Sequence, residues 1–405
     1  MASLAELLGE SPEQRDDDPF YARYGFKRNP FPAARTIIEE LLYNQKTALD
    51  KFVSLVREVL SDDPQRRALG IQGGTGGGKT HFLRHCQYLM REFRQTTNRP
   101  FAVVEILAGS SSASNLVKEV LREADEAVKL SGEYDLLTAL VRSCEDVREL
   151  DAIKQAELRN VLRLLFNASQ ANFVAPDRDG RMTFEPLRDL AKKWLGGAAL
   201  SNTEKRHLGV FARLSSAAMM TRNMTEILAF SRKKGILFGV LLCLDEVETL
   251  FAGGYSSAKI QGYLQDLRYL FDEAVRGAEG YSLLLLAAST PQGALNLRNY
   301  NYPLFQRLSF EEGSRADLLP ISDQAEVRGI ADLYINYERT RAKLPSTKNW
   351  PDILTDEDLE NAYHTATTID RTLAPTQMRR VNQGQLLQAL HQIVESKRED
   401  EVRPD

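Results

Sequence analysis

The hydrophobic positions of this chain follow two different periods. Short, continuous apolar runs are typical of parallel strands covered on both faces, because such strands show no alternation with polar residues. Runs of this kind lie at residues 68–71, 101–107, 239–244 and 282–288. Elsewhere, as at residues 115–121 and 158–166, apolar residues recur at steps of three and four, which predicts amphipathic helices. The pattern therefore indicates an α/β fold with a parallel sheet.

The spacing of the apolar runs predicts how the chain is organised. About 130 residues separate the second run from the third, which is far more than an ordinary crossover helix requires. We therefore expect a helical insertion at about residues 108–235, with a turn near residues 175–180 between its halves. Later in the chain the pattern becomes helical, and residues 354–358 resemble a capped helix start. The predicted division is a flanking segment at 1–35, an α/β core at 36–320, a helical lid at 321–398 and a frayed tail at 399–405.

Composition mainly excludes certain functions. The 405 residues are 43% hydrophobic and 27% charged, as in ordinary globular proteins. The formal net charge of -4 argues against binding DNA through an overall positive charge. Contacts with duplex DNA would have to come from local basic clusters, of which the chain has four, at residues 91–94, 192–193, 232–234 and 379–380.

The chain also lacks the usual signals for membranes and metals. Its longest apolar runs are about ten residues, too short to span a bilayer. Its first residues lack the basic and extended apolar regions of a secretion signal. We therefore expect no membrane partner and a cytoplasmic location. Cys86, Cys144 and Cys243 lack the spacing of a zinc site and are expected to be reduced core thiols.

A glycine-rich segment between the first apolar run and a helical pattern matches the phosphate-binding motif G-x-x-x-x-G-K-[ST]. Glycines allow backbone N–H groups to approach a phosphate, and the following helix adds the partial positive charge of its N-terminus. Lysine can reach the β- and γ-phosphates, and the threonine hydroxyl can join a magnesium shell. The segment predicts that ATP is bound by Gly73, Gly74, Thr75, Gly76, Gly77, Gly78, Lys79 and Thr80.

Two adjacent acids follow the third apolar run. Asp245 and Glu246 stand where a buried parallel strand ends, which is the position of a metal-holding acid in phosphate-loop enzymes. We expect Asp245 to hold Mg2+ together with Thr80, and Glu246 to orient or deprotonate the attacking water. The adjacent acid pair favours an ATPase over a kinase or a GTPase.

Two further features are candidates for contacts with the γ-phosphate. Ser289 and Thr290 end the fourth apolar run, and either hydroxyl could sense that phosphate. The same residues could equally begin a turn before Pro291. Arg307 follows a later apolar segment and could act on the nucleotide of a neighbouring subunit, although a single surface arginine is more often only solvated.

The order of these parts resembles the AAA+ ATPases over about residues 20–395. Within that superfamily the chain is similar to the ATP-binding proteins of bacterial phage-exclusion systems, the BrxD-like proteins of BREX. Four stretches carry the similarity: GGTGGGKTHFL, LAKKWLGG running on to HLGV, LDEVETLF and ASTPQGALNLRNYNYPLFQRL. The AAA+ resemblance implies a lid arginine at the γ-phosphate, for which Arg379 and Arg380 are the candidates.

The resemblance has two departures that keep alternatives open. The strand that ends in Ser289 lacks the asparagine frequent in AAA+ proteins. Residues 24–31 (YGFKRNPF) also resemble the start of origin-recognition and transposition ATPases. The resemblance thus implies a magnesium-dependent, homo-oligomeric ATPase that works with DNA and defence-system proteins. A nucleotide-gated scaffold that needs no turnover, and a transposition or replication-loader ATPase, are the alternatives.

Overall fold

The computed structural model describes residues 18–33, 36–97, 99–108, 113–130, 132, 135–170, 182–252, 255–276, 279–342, 350–369 and 379–402. The chain forms two compact units. The first unit comprises the N-terminal residues to Gln45, a short central segment, Gly74–His81, and the residues from Leu318 onward. The second comprises Lys46–Gly73 and Phe82–Asp317.

The strands of the described residues form one large sheet and two small hairpins. In chain order they are β1 (Arg66–Gln72), β2 (Phe101–Leu107), β3 (Gly239–Asp245), β4 (Val275–Arg276), β5 (Glu279–Gly280), β6 (Ser282–Ser289), β7 (Ala316–Asp317), β8 (Thr367–Ile369) and β9 (Arg379–Val381). The large sheet has the order β2-β3-β6-β1-β7, and all of its neighbouring strands are parallel. β4 pairs with β5, and β8 pairs with β9, both antiparallel.

The helices of the described residues are numbered in chain order. They are α1 (Pro19–Arg23), α2 (Lys46–Val59), α3 (Lys79–Thr96), α4 (Ala113–Lys129), α5 (Leu136–Arg142), α6 (Ala156–Gln170), α7 (Phe184–Leu195), α8 (Asn202–Leu208), α9 (Ala217–Lys233), α10 (Ser257–Glu273), α11 (Pro291–Tyr300), α12 (Tyr302–Arg307), α13 (Gln324–Arg341), α14 (Asp356–Ala366) and α15 (Gln383–Val402). Short 3-10 helices occupy Val147–Ala152 and Val247–Phe251. Among the described helices, none combines the length and the apolar character needed to cross a membrane.

The sheet is buried as the continuous apolar runs predict. Every residue of β3 and of β6 is buried, since helices cover both faces of the second unit's core. Each of these strands lies between two others, so its backbone groups can pair on both sides. The predicted fold class, an α/β core with a parallel sheet, is therefore confirmed.

A helical insertion separates β2 from β3, also as predicted. It contains α4 to α9, and its interior is continuous with the core of the second unit. Trp194 on α7 is fully buried and is among the largest side chains of that interior. The turn predicted near residues 175–180 lies outside the described residues.

The C-terminal helices and the N-terminal segment share a second hydrophobic core within the first unit. Phe26 and Phe31 of the N-terminal segment are buried in it with Tyr334 of α13 and Leu386 of α15. The capped start predicted near residues 354–358 is present, because the side chains of Thr355 and Asp358 form a reciprocal capping box at the start of α14. The N-terminal residues 24–31 are therefore a structural part of this unit.

The three cysteines are buried and unbridged. Burial raises the pKa of the Cys86 and Cys243 thiols, and the carboxylate of Glu105 raises the pKa of Cys243 further. These thiols are therefore held in the neutral form.

Candidate functional site

The glycine-rich segment forms a loop that only glycine can build at several positions. Gly76 and Gly78 have φ angles of 70° and 82°, in the left-handed region that side chains rarely adopt. A Cβ atom on Gly77 would lie 3.0 Å from the carbonyl oxygen of Gly74. The chain therefore wraps tightly enough for backbone N–H groups to line a cradle for an anion.

Lys79 and Thr80 open the helix that follows the loop. α3 begins at Lys79, so both residues lie in its first turn, where backbone N–H groups have no helical partner. The Lys79 side chain is 9% exposed, and its Nζ donates to the carbonyl oxygen of Gly74 across 3.3 Å. The ammonium group is thus held against the loop.

The outer side of the loop is covered by the junction between β9 and α15. The backbone N–H of Gln383 donates to the carbonyl oxygen of Gly76 across 3.1 Å. A Cβ atom added to Gly76 would lie 2.4 Å from Asn382 Nδ2, and one added to Gly78 would lie 2.5 Å from Gln383 Oε1. Two of the loop glycines are therefore needed for this contact as well as for the loop's own conformation.

His81 connects the same junction to the N-terminal segment. Its Nδ1 lies 3.2 Å from Gln383 Nε2, and its Nε2 lies 3.2 Å from the carbonyl oxygen of Ile38. Because an amide nitrogen and a carbonyl oxygen are the partners, the neutral tautomer with the proton on Nε2 satisfies both contacts. The residue after Thr80 thus joins three separate parts of the first unit.

In the second unit, the start of the phosphate motif and the acid pair reach the same edge of the sheet. β1 and β3 each pair with β6, in registers that place Gln72 beside Ser289 and Leu244 beside Ala287. Gly73, the first residue of the motif, donates its N–H to the carbonyl oxygen of Ser289 across 3.2 Å. All three strands end at this edge because they are parallel.

Asp245 and Glu246 differ in burial although they are adjacent. The Asp245 side chain is 2% exposed, and its Oδ1 accepts a hydrogen bond from the Glu246 N–H across 2.8 Å. Glu246 is exposed, and its backbone has the left-handed angles φ 53° and ψ 47°. Such a conformation costs a residue other than glycine about 1–3 kcal/mol, and such strain clusters at functional sites. The turn holds one carboxylate within the sheet edge and presents the other outward.

Ser289 and Thr290, left open by the sequence, have different environments. The Thr290 hydroxyl accepts from the Gly293 N–H across 3.1 Å and caps α11. The Ser289 hydroxyl is buried and has no hydrogen-bond partner among the described residues. Thr290 is therefore used as a helix cap, whereas the hydrogen-bonding capacity of the buried Ser289 hydroxyl is unused among the described residues.

Glu248 connects the acid pair to this strand end. Its Oε2 accepts from the Thr290 N–H across 3.1 Å. A Cβ atom on Gly293 would lie 2.4 Å from Ser289 Oγ and 2.6 Å from the Glu248 Cβ atom. The close approach that Gly293 permits therefore holds the turn after Glu246 against the start of α11.

Arg307 lies at the end of α12 in an internal ion pair. Its Nε donates to Asp272 Oδ1 across 2.8 Å, and its Nη1 donates to the carbonyl oxygen of Pro303 across 3.3 Å. The side chain is about one third exposed. Arg307 is thus held on the second unit by α10, and its action on a neighbouring subunit stays a prediction.

The predicted lid arginines lie on a strand that reaches the phosphate loop. Arg379 and Arg380 belong to β9, which pairs with β8 and ends at Val381. Val381 lines a small cavity together with Gly76 and Gly77. The side chains of the two arginines lie outside the described residues, so the choice between them stays open.

In three of the predicted basic clusters, part of the charge is used inside the protein. Lys192 pairs with Asp125 across 2.6 Å. Arg232 donates to three backbone carbonyls and one hydroxyl. Lys234 pairs with Glu149, and this contact together with backbone hydrogen bonds lowers the Glu149 pKa to about 2. The cluster at residues 91–94 also has described side chains. Burial lowers the pKa of Arg94, the last residue of this cluster. These groups serve folding more than DNA contact.

Comparisons with known proteins find similarity only among solved structures. No protein-family model matches the chain, and no curated protein matches it. Among solved structures, the chain is similar to the ORC1 protein of Aeropyrum pernix in complex with DNA, with 13% identity and a TM-score of 0.42. The similarity covers 90% of this chain and 64% of that chain.

Sequence reasoning missed the residues that cover the phosphate loop. Asn382 and Gln383 stand some three hundred positions after His81, and no local pattern links them. Neither residue belongs to a motif, and both are only partly buried. Only the pairing of β8 with β9 and the packing of α15 bring them to the loop.

Proposed function

We propose that this chain is a magnesium-dependent ATPase of the AAA+ type. The observation that supports the proposal most directly is the hydrogen bond from Gly73 to Ser289, because it joins the start of the phosphate motif to the sheet edge where Asp245 and Glu246 end β3. A phosphate loop and a strand-end acid at one edge of a parallel sheet are the parts that phosphoryl transfer requires.

The residues present fit the nucleotide and the metal. The loop has the glycine conformations of an anion cradle, with Lys79 held over it. Asp245 is a buried carboxylate of the kind that holds Mg2+, and Thr80 lies in the first turn of the helix after the loop. Each residue therefore has, within its own unit, the environment that its predicted role needs.

Different residues of the chain would bind the phosphates, hold the metal and activate the water. Bound Mg2+–ATP supplies the phosphoryl group and its activated leaving group. The loop N–H groups and Lys79 would bind and orient the phosphates, while Thr80 and Asp245 would hold the metal. Glu246, exposed on a strained turn, would position a water and take its proton. Ser289, and Arg379 or Arg380, would complete the contacts to the terminal phosphate.

The finer function follows from the resemblance found in the sequence. We place the activity in bacterial defence against phage, in a homo-oligomer that acts on DNA together with BREX-like partner proteins. Arg307 would contribute to the site of a neighbouring copy. A replication-loader or transposition role would instead require a helicase or transposase as the partner, and a pull-down from the native host distinguishes these partners.

Substitution of Glu246 tests the proposed reaction. Glu246→Gln should bind ATP like the parent protein but release phosphate about 100-fold more slowly, because a general base contributes at least that factor. Lys79→Ala should weaken ATP binding at least about 10-fold. Equilibrium dialysis and phosphate release measure the two effects. Glu312→Gln, which changes an exposed glutamate elsewhere in the chain, is the control, and turnover by Glu246→Gln equal to this control contradicts the assignment.

A nucleotide-gated scaffold is the second candidate. It is favoured by the contact of Asn382 and Gln383 with the phosphate loop, since filling the loop could shift the C-terminal helices without hydrolysis. In this case the chain would recruit an effector when ATP is bound. Cells that carry Glu246→Gln and still resist phage would favour the scaffold, whereas loss of protection would favour the ATPase.

A further inference from the structure

The motif LAKKWLGG and the later HLGV have no part in nucleotide chemistry, but together they build one loop of the insertion. Residues 209–216 run from the end of α8 to the start of α9. Within this loop Phe211 is 88% exposed, more than any other large apolar side chain among the described residues. Single exposed apolar residues are common, so exposure alone does not indicate a function for Phe211. The contacts that hold its loop are the more informative observation.

The loop is fixed on both sides of Phe211. Trp194 Nε1 donates to the carbonyl oxygen of Ala212 across 3.1 Å, and Arg213 Nε donates to that of Gly197 across 2.6 Å. The N–H of Phe211 itself donates to Glu157 Oε1 across 2.9 Å.

The neighbouring apolar side chains Val210 and Leu214 point into the core, at 4% and 3% exposure. Because the buried residues and hydrogen bonds on both sides fix the backbone, the Phe211 side chain cannot turn into the core. Phe211 is therefore presented to solvent by a rigid loop.

Two glycines make this presentation possible. Gly209 ends α8 with φ 68°, which turns the chain out of the helix. Gly197 has φ 70°, and a Cβ atom there would lie 3.0 Å from the carbonyl oxygen of Leu214. The second glycine of WLGG and the glycine of HLGV thus form and seat the loop, which accounts for the two motifs.

Basic residues are frequent in the segments that form and adjoin the loop of Phe211. Basic side chains on the loop and on the adjoining ends of α7 and α8 are Lys193, Lys205, Arg206 and Arg213. Within the described part of the chain, none of the four has a carboxylate at ion-pair distance. Two carboxylates lie in or against the same segments, since Glu157 accepts from Phe211 and Glu204 caps α8, so the four cations outnumber them. The Glu204 pKa is lowered first by Ser201 and further by Lys193, which places that lysine near α8.

We infer that Phe211 and these four basic residues form a nucleic-acid contact, in which the phenyl ring stacks on or wedges between bases and the cations hold the phosphates. Exposed aromatic rings among basic groups are used in this way by DNA-binding proteins. Protein interfaces are also enriched in aromatic residues and arginine but are depleted in lysine, so loss of a protein partner is one of the outcomes that the test below distinguishes. The inference rests on the DNA partner of the proposed function and assigns it a location.

Binding of labelled DNA tests the inference. The parent protein, with ATP and Mg2+ present, is titrated against fluorescein-labelled single-stranded and duplex DNA, with fluorescence anisotropy as the readout. Phe211→Ala should weaken binding by about 10-fold, the loss expected for one stacked base. Phe211→Trp should retain affinity, and its added fluorescence should be quenched by DNA. Arg206→Ala should lower the slope of log affinity against log salt by about one.

Controls separate this site from the rest of the function. Leu130→Ala, which removes another exposed apolar side chain of the insertion, should bind DNA like the parent. ATP turnover of Phe211→Ala without DNA should equal that of the parent, since the loop is outside the nucleotide site.

Four results would overturn the inference. The first is that Phe211→Ala binds DNA as tightly as the parent, and the second is that DNA does not quench the fluorescence of Phe211→Trp. The third is that Phe211→Ala loses a protein partner while its DNA affinity is unchanged. The fourth is that the parent hydrolyses ATP but binds no DNA. The first three leave the proposed ATPase intact, and the fourth removes its DNA partner. A parent that binds DNA through Phe211 but does not hydrolyse ATP supports this site and contradicts the ATPase.

Discussion

The backbone N–H of Gln383 donates to the carbonyl oxygen of Gly76, in the phosphate loop, across 3.1 Å. The side chain of Gln383 extends the contact, with Nε2 3.2 Å from His81 Nδ1. The first residue of the last helix is therefore bonded to the loop and also to the helix that follows the loop. A change in the loop on binding an anion would be transmitted directly to α15.

A negative charge at this contact should weaken nucleotide binding. Gln383→Glu keeps the shape of the side chain but adds a carboxylate beside the phosphate cradle, where repulsion of about 1 kcal/mol or more is expected. The dissociation constant for ATP should rise about 10-fold, as measured by equilibrium dialysis. Gln385→Glu adds the same charge at an exposed position of α15 and serves as the matched control. Equal affinities of the two variants would show that Gln383 does not act on the cradle.

Substitutions of Ser289 and Thr290 should affect different properties, one mainly turnover and the other mainly stability. Thr290→Ala removes a helix cap and should lower the free energy of unfolding by about 1 kcal/mol. Ser289→Ala removes a hydroxyl without a partner among the described residues and should change stability by less than about 0.5 kcal/mol.

Turnover should show the opposite pattern. Phosphate release should slow in Ser289→Ala and change little in Thr290→Ala, because the Thr290 hydroxyl is engaged in a helix cap whereas the Ser289 hydroxyl has no partner among the described residues. Urea unfolding and phosphate release on the same preparations measure both quantities. Normal turnover in Ser289→Ala would exclude it as a γ-phosphate sensor.

Action of Arg307 across subunits can be tested by mixing. Arg307→Ala and Glu246→Gln should each be inactive, but an equal mixture should recover turnover if one copy supplies the arginine and the other the water-positioning carboxylate. Arg268→Ala controls for the lost ion pair, because Arg268 also contacts Asp272, at 3.5 Å. If mass photometry shows mixed assemblies and turnover stays absent, Arg307 does not act in trans.

Asp358 should make the stability of the C-terminal helices depend on pH. Burial alone would raise its pKa, but hydrogen bonds from Lys397 and Thr355 outweigh burial and lower it. A lowered folded-state pKa adds stability above the ordinary aspartate value, and this stability is lost as the pH falls through the folded-state pKa.

Asp358→Asn should therefore be less stable than the parent at pH 7, by about 1 kcal/mol. The difference should shrink below about pH 4, where the parent carboxylate is increasingly protonated. Urea unfolding across this range measures it. Glu357→Gln, in the same helical turn but exposed, should show no such trend. A pH-independent difference would mean that the Asp358 charge is not the cause.

The strands and the phosphate loop were predictable because their signals are local. A buried parallel strand must be apolar at nearly every position, and a loop around an anion needs glycine at fixed spacing. These constraints act on neighbouring residues and are therefore visible in the sequence. The apolar runs at residues 101–107 and 239–244 accordingly coincide closely with β2 and β3. The basic clusters were less informative, because a lysine in the sequence does not reveal whether a carboxylate will lie beside it.

The sequence by itself determined the α/β class, the phosphate loop, the acid pair and the presence of a helical insertion. Tertiary structure alone decided that Gln383 meets Gly76, that Thr290 rather than Ser289 caps a helix, and that Phe211 stands exposed on a pinned loop. The reason is physical. Some of these relationships are contacts between residues far apart in the chain, and the other is a choice between two neighbouring hydroxyls for one hydrogen bond with a helix N–H. Neither leaves a periodic or compositional trace that neighbouring residues could carry.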